Sequence, residues 1–193
     1  MKFSWPRFFP FGAAALAIAT LLYPGIVYVT RTVVPPLAFV AVALALIGLR
    51  LATLRSPIDQ VWRAPFVIAA TGIVLLAALD TPLAVKAYPV AVSLAAASVF
   101  GATLLHPPSL IERFARLREV ELPPAALSYC RKVTIVWTVW LSANTIIASI
   151  LALPGNEAAW ALWTGLVAYL IMGALFASEI VVRHIIRGRP TKL

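Results

Sequence analysis

Long stretches of this chain carry almost no ionisable side chain, and that decides the kind of solvent it must fold in. Of its 193 residues 62% are hydrophobic and only 12% charged, which excludes an ordinary soluble domain. A hydrocarbon core about 30 Å thick takes roughly 20 residues of α-helix, so the length allows about six crossings with short connections. In lipid the backbone must satisfy its own hydrogen bonds, so the crossings are helices or a closed barrel. The apolar runs lack the strict alternation of barrel strands. The expected fold is therefore all-α: a single membrane domain over residues 1–193, a polytopic helical bundle. The six spans are expected at about Phe8–Val29, Val33–Leu54, Val61–Leu79, Tyr88–Leu105, Val133–Leu153 and Trp160–Ile180. The third is charge-free only over Phe66–Leu79 and crosses if Arg63 snorkels to the interface.

Charge sets the orientation. With six spans, every one of the 16 Lys and Arg residues except Arg31 and Lys86 falls on the side of the two termini. The positive-inside rule then places both termini in the cytoplasm, and deleting the third span would reverse the asymmetry. The net charge of +9 is explained by this requirement and by adjacent anionic lipid, so no nucleic-acid partner is expected. Lys2, Arg7 and Ala17-Ile18-Ala19 also fit a signal peptide. The apolar run continues through Tyr23 to Val29, which favours an uncleaved first span. A single cysteine, Cys130, allows neither an internal disulfide nor a thiolate metal cluster.

Residues 106–132 form the long polar connection, between spans four and five. Ser109 followed by Glu112 reads as a capping box, opening a short cytoplasmic helix from Leu110 to about Glu121 that Pro123-Pro124 ends. Leu110, Ile111, Phe114 and Leu117 share one face of it, opposite Glu112, Arg116 and Glu119, the pattern of an amphipathic interfacial helix. Its cations Arg113, Arg116 and Arg118, with Arg131 and Lys132, are the candidate partner-docking residues. Packing beneath the bundle explains the segment equally well. Most prolines sit at expected helix starts, whereas Pro24 falls inside span one and is expected to kink it. Trp137, Trp140, Trp160 and Trp163 are placed as interfacial belts of spans five and six.

Asn144, near the middle of span five, needs a partner and should face the bundle interior, where an interhelical hydrogen bond is the plainer reading than a substrate contact. Glu179 and Arg183, one turn apart in span six, suit an ion pair at the helix end. Asn144, Glu179 and Arg183 together make the candidate intramembrane polar site. Ala97-xxx-Gly101 and Gly173-xxx-Ala177 point to close helix packing. No metal-ligand spacing, phosphate loop or nucleophile elbow occurs, so no cofactor or metal is expected. Cys130 beside Arg131-Lys132 lacks a base nearby in sequence and reads as an ordinary thiol.

The most specific pattern begins with Ile111-Glu-Arg-Phe-Ala-Arg-Leu117, Leu122-Pro-Pro124, Tyr129-Cys-Arg-Lys-Val-Thr134 and Val136-Trp137. It continues with Asn144, Trp160, Gly165-Leu166, Ala168-Tyr-Leu170, Met172-Gly173, Leu175-Phe176, Glu179 and Val182-Arg183. Over about the last 80 residues it resembles a family of small bacterial inner-membrane proteins, encoded among fatty-acid-synthase-like genes for aryl-polyene (xanthomonadin-type) pigment lipids. Members carry Asn-Gly in span five and Asn before the Gly-Leu of span six. Here those positions read Asn144-Thr145 and Thr164-Gly165, which argues against the Asn-Gly pair as indispensable chemistry. Some members are labelled ketosynthase, but one Cys at a membrane edge and two histidines in distant segments, His106 and His184, do not make that site. The resemblance implies a non-catalytic accessory that gathers acyl carrier protein or acyl-pathway enzymes at the bilayer. The alternative is a protein that binds, moves or modifies a lipid or polyene intermediate, with Asn144 and Glu179 along its path.

Overall fold

In the computed structural model, residues 11–54, 59–117 and 121–187 are described, with side-chain surroundings between residues 15 and 182. Among them eight helices follow one another: α1 (Phe11–Thr30), α2 (Pro36–Thr53), α3 (Arg63–Leu79), α4 (Thr81–Leu105), α5 (Leu110–Arg116), α6 (Pro124–Ala152), α7 (Glu157–Leu162) and α8 (Ala168–Arg187). A 3-10 turn, Asp59–Trp62, leads into α3, and a π-helical turn, Trp163–Val167, joins α7 to α8. Among the described residues there is no strand. Among the described residues five segments are long and apolar enough to cross a membrane: Pro36–Thr53, Asp59–Leu79, Thr81–Leu105, Pro124–Ala152 and Glu157–Val182. α1, Phe11–Thr30, has 20 residues and would be about 30 Å long, the thickness of a hydrocarbon core.

Helix starts follow the prolines. Pro36, Pro82 and Pro124 sit in the first turns of α2, α4 and α6, where a missing N–H costs nothing. Asp80 caps α4, its carboxylate accepting from the Leu83 N–H at 2.9 Å. Gly155, at φ +91°, makes the turn between α6 and α7 in a conformation that favours glycine.

α4 is the central helix, packed most extensively on α6 and α3. The Ala97-xxx-Gly101 step serves that contact: Ala97 is buried, and a Cβ on Gly101 would lie 3.5 Å from the Thr138 methyl. The step at Gly173 and Ala177 does not do the same. Both residues are exposed, and a Cβ at Gly173 would meet nothing within 4 Å. Elsewhere Gly165 lets the π-turn approach α1, its Cβ position 3.7 Å from Pro24. The main core gathers Tyr23, Phe39, Ile47, Phe66, Ile73, Tyr88 and Trp160.

Several boundaries differ from the sequence reading. α4 begins at Thr81 rather than Tyr88, so Pro89 lies inside it. α6 begins at Pro124 rather than Val133, which puts Arg131 and Lys132 on a helix instead of in a loop. Its 29 residues span about 43 Å, more than the hydrocarbon requires, so a polar first stretch is compatible with the helix. The earlier start carries Trp137 and Trp140 into the helix body. Trp137 is buried against Phe100 and Phe176, Trp160 is buried, and Trp163 hydrogen-bonds inward, so these three are interior rather than belt residues.

The Ser109–Glu112 capping box does not form. Ser109 makes no side-chain cap, and Glu112 instead binds Arg116 at 2.8 Å. Threonines from neighbouring helices cap α5 in its place. Thr103 accepts the Leu110 N–H at 3.0 Å and Thr134 that of Ile111 at 3.5 Å. α5 stops at Arg116, short of the expected Glu121. Leu110 is fully buried, whereas Phe114 and Leu117 are exposed, so only the first turn gains the tertiary packing that a short helix needs.

Candidate functional site

The basic residues singled out by sequence are largely committed to the protein itself. Arg113 donates from Nε to the Pro108 carbonyl at 2.9 Å and from Nη2 to that of His106 at 3.3 Å. Arg131, from α6, donates to the Leu104 carbonyl at 3.2 Å. Two guanidinium groups thus satisfy carbonyls at and just beyond the C-terminal end of α4, where the helix dipole favours cations. Arg116 is neutralised by Glu112. Lys132 is exposed, and Arg118 lies outside the described residues. These cations therefore act first as fastenings of the α4–α5 corner.

Asn144 faces the interior, as an amide within an apolar helix is expected to. Its Nδ2 donates to Ser93 Oγ at 2.6 Å and its Oδ1 accepts from Trp163 Nε1 at 2.8 Å. Three elements, α4, α6 and the π-turn, are joined through one side chain. The π-turn matters because its extra residue re-aims the side chains that follow α7. Glu179 is not brought to this cluster. It is half-buried, and its backbone carbonyl accepts from Tyr129 Oη at 3.4 Å. The side chain of Arg183 lies outside the described residues, and with it the expected Glu179–Arg183 pair.

Along α3 and α4 runs a groove of about 830 Å³. Small residues create it: Ala69 and Gly72 on α3, and Ala87, Ala91 and Ala95 on α4, leave a furrow that larger side chains would fill. Ser98 and Thr103 are its few hydroxyls, and both satisfy a carbonyl of their own helix. His106 and Arg113 close one end, beside α5. The result is an elongated apolar channel with a cation at one mouth. Neither Asn144 nor Glu179 lines it.

A second polar cluster is hidden from the sequence. Arg50 counts there only among the cations on the side of the termini, yet it belongs to α2 and is half-buried. Its Nη2 donates to Thr20 Oγ1 at 2.7 Å, and Thr20 Oγ1 lies 3.0 Å from Tyr88 Oη. The guanidinium carbon is 5.9 Å from the Phe66 ring centroid, while Nε is buried without a hydrogen-bond partner among the described residues. The available signal is its position: Arg50 falls within Val33–Leu54, among apolar neighbours, and a charge inside a span is a candidate functional group.

Comparison with known proteins adds no relative: no family model, curated protein or solved structure matches this chain.

Proposed function

We propose that this protein binds an amphiphile with a long apolar chain in the α3–α4 groove, as part of handling an acyl or polyene lipid intermediate. The observation that carries the reading is the groove itself. It extends along most of the two helices, is lined by small apolar residues, and ends at Arg113 and His106, where an anionic head group would find a cation. In this reading α1 is the sixth crossing, both termini are cytoplasmic, and α5 lies flat at the inner interface with Phe114 and Leu117 in lipid. The membrane is then the bacterial inner membrane, in keeping with the resemblance of the C-terminal half to proteins encoded with aryl-polyene genes.

Gly72 supplies the test. It is exposed on the groove wall, and a Cβ there meets nothing within 4 Å, so Gly72→Leu starts from open space and adds bulk to the furrow. The substitution also removes a helix-interior glycine, worth up to about 1 kcal/mol of helix propensity. Native mass spectrometry of the protein in neutral detergent should show a retained amphiphile on the wild type, absent from a Gly72→Leu variant of equal or higher thermal stability. Equal retention by both would remove the groove as the site.

Exposed Arg131 and Lys132 favour a second reading, the recruitment of acidic acyl carrier protein or acyl-pathway enzymes by a non-catalytic accessory. In that case Arg131→Glu with Lys132→Glu abolishes carrier-protein co-purification and leaves amphiphile retention intact.

A further inference from the structure

The end of the bundle opposite α5 is almost free of charge, and what charge it has is concentrated. There α1 and α6 finish, and α2, α4 and α7 begin. Among the described residues the charged side chains at this end are Arg31, Asp80, Lys86 and Glu157, and all four line one cavity of about 440 Å³. Apart from Tyr28 and Thr32 its other walls are apolar, with Phe39, Val85 and Trp160 buried beneath it. The volume falls in the range of about 300–1,000 Å³ typical of small-molecule pockets.

Orientation in the membrane does not call for these cations. Among the residues whose side-chain surroundings are described the other cations, Arg50, Arg63, Arg113, Arg116, Arg131 and Lys132, belong to the other end, and a cation here works against that asymmetry. Two of the four groups are matched to each other: Lys86 Nζ lies 3.0 Å from Glu157 Oε1, with the Lys86 side chain only 12% exposed. Asp80 is engaged in capping α4. Arg31 is exposed at the rim, its guanidinium carbon 4.7 Å from the Tyr28 ring centroid, and no carboxylate pairs with it among the described residues. An ammonium group has three donors, so Lys86 can hold Glu157 and a further acceptor together.

From this arrangement we infer that the cavity is a second binding site, for an amphiphile whose carboxylate or phosphate group sits between Arg31 and Lys86 while its apolar part lies over Phe39 and Trp160. Arg31 meets the anion at the rim, Lys86 meets it from within, and the apolar floor excludes fully hydrated ions. The site is separate from the α3–α4 groove and does not depend on what that groove binds.

The full chain in zwitterionic phosphatidylcholine nanodiscs provides the test, with radiolabelled octyl phosphate as probe and empty discs subtracted. Wild-type protein should bind the probe saturably, and Arg31→Gln should weaken the dissociation constant about tenfold, the loss expected for one charge-assisted hydrogen bond. Removing Arg31 leaves every ion pair intact and favours the same orientation, so the variant inserts normally. Leu83→Trp, which fills the half-buried wall of the cavity, should weaken binding as well. Inorganic phosphate and octanol, each carrying half of the required chemistry, should compete poorly. Competition by phosphatidylglycerol doped into the disc identifies a membrane lipid as the amphiphile, and its failure to compete identifies a smaller single-chain molecule. Either result supports the site. Unsaturable binding, an unchanged affinity in Arg31→Gln, or inorganic phosphate competing as well as the probe would each overturn it.

Discussion

Arg50 and Asn144 are both polar residues inside apolar helices, yet they are settled in opposite ways. Asn144 has a donor and an acceptor satisfied by two different elements. Arg50 has one good bond, to Thr20, and a buried Nε without a partner among the described residues. A buried polar group costs most when its partner is removed, and least when it is itself replaced by an apolar side chain of similar shape. Thr20→Val should therefore destabilise the protein by about 1–3 kcal/mol, because the guanidinium is left without its acceptor. Arg50→Met should be neutral or stabilising. Unfolding in bicelles measures both, and equal losses in the two variants would contradict this account. The need of Asn144 for an interior partner is legible from its residue type and depth. The setting of Arg50 is not, because a cation near the end of an apolar run reads equally as loop or helix until its Thr20 partner, 30 positions earlier, is in place.

At the scale of elements, punctuation is legible and extent is not. Pro123-Pro124 reads as a stop for α5 and serves as the start of α6, since proline suits a first helical turn as well as it ends a preceding one. The polar first turns of α6, through Arg131 and Lys132, carry no hydropathy signal. Hydropathy therefore starts the span at Val133 and reads its tryptophans as lipid-facing belt residues, although Trp137 packs against Phe100 and Phe176 inside the bundle. α5 shows a related limit. Its local signal, Ser109 with Glu112, is overridden by threonines that only the tertiary fold supplies. Thr103→Val should accordingly cost about 1 kcal/mol, the value of a helix cap, and speed amide exchange at Leu110 and in the rest of α5. Glu112→Gln, which breaks only an i,i+4 pair with the exposed Arg116, should cost about 0.5 kcal/mol or less. A larger loss for Glu112→Gln than for Thr103→Val would show that the local box, rather than the threonine caps, holds α5.

For the whole molecule, the proposed orientation rests on the charge asymmetry, and the two cavities differ in kind: one groove runs along α3 and α4, the other pocket lies at the end of the bundle opposite α5. In a Cys130→Ser background, single cysteines at Asn156 and at Glu121, both exposed, should label from opposite sides, with Glu121 cytoplasmic. Labelling from one side would remove the six-span topology. The groove is not legible in the sequence, because alanines and glycines spell close packing and open furrow alike. Gly101 meets Thr138, whereas Gly72 meets nothing within 4 Å. The central claim, a specific amphiphile site between α3 and α4, is tested most directly by photo-crosslinking a diazirine fatty acid to the protein in lipid nanodiscs and mapping the adducts. Adducts concentrated on Ala91, Leu94 and Ser98, and displaced by excess unlabelled fatty acid, are the expected result. Adducts spread evenly over lipid-facing positions such as Val139, Ile146 and Leu170, without displacement, would contradict it.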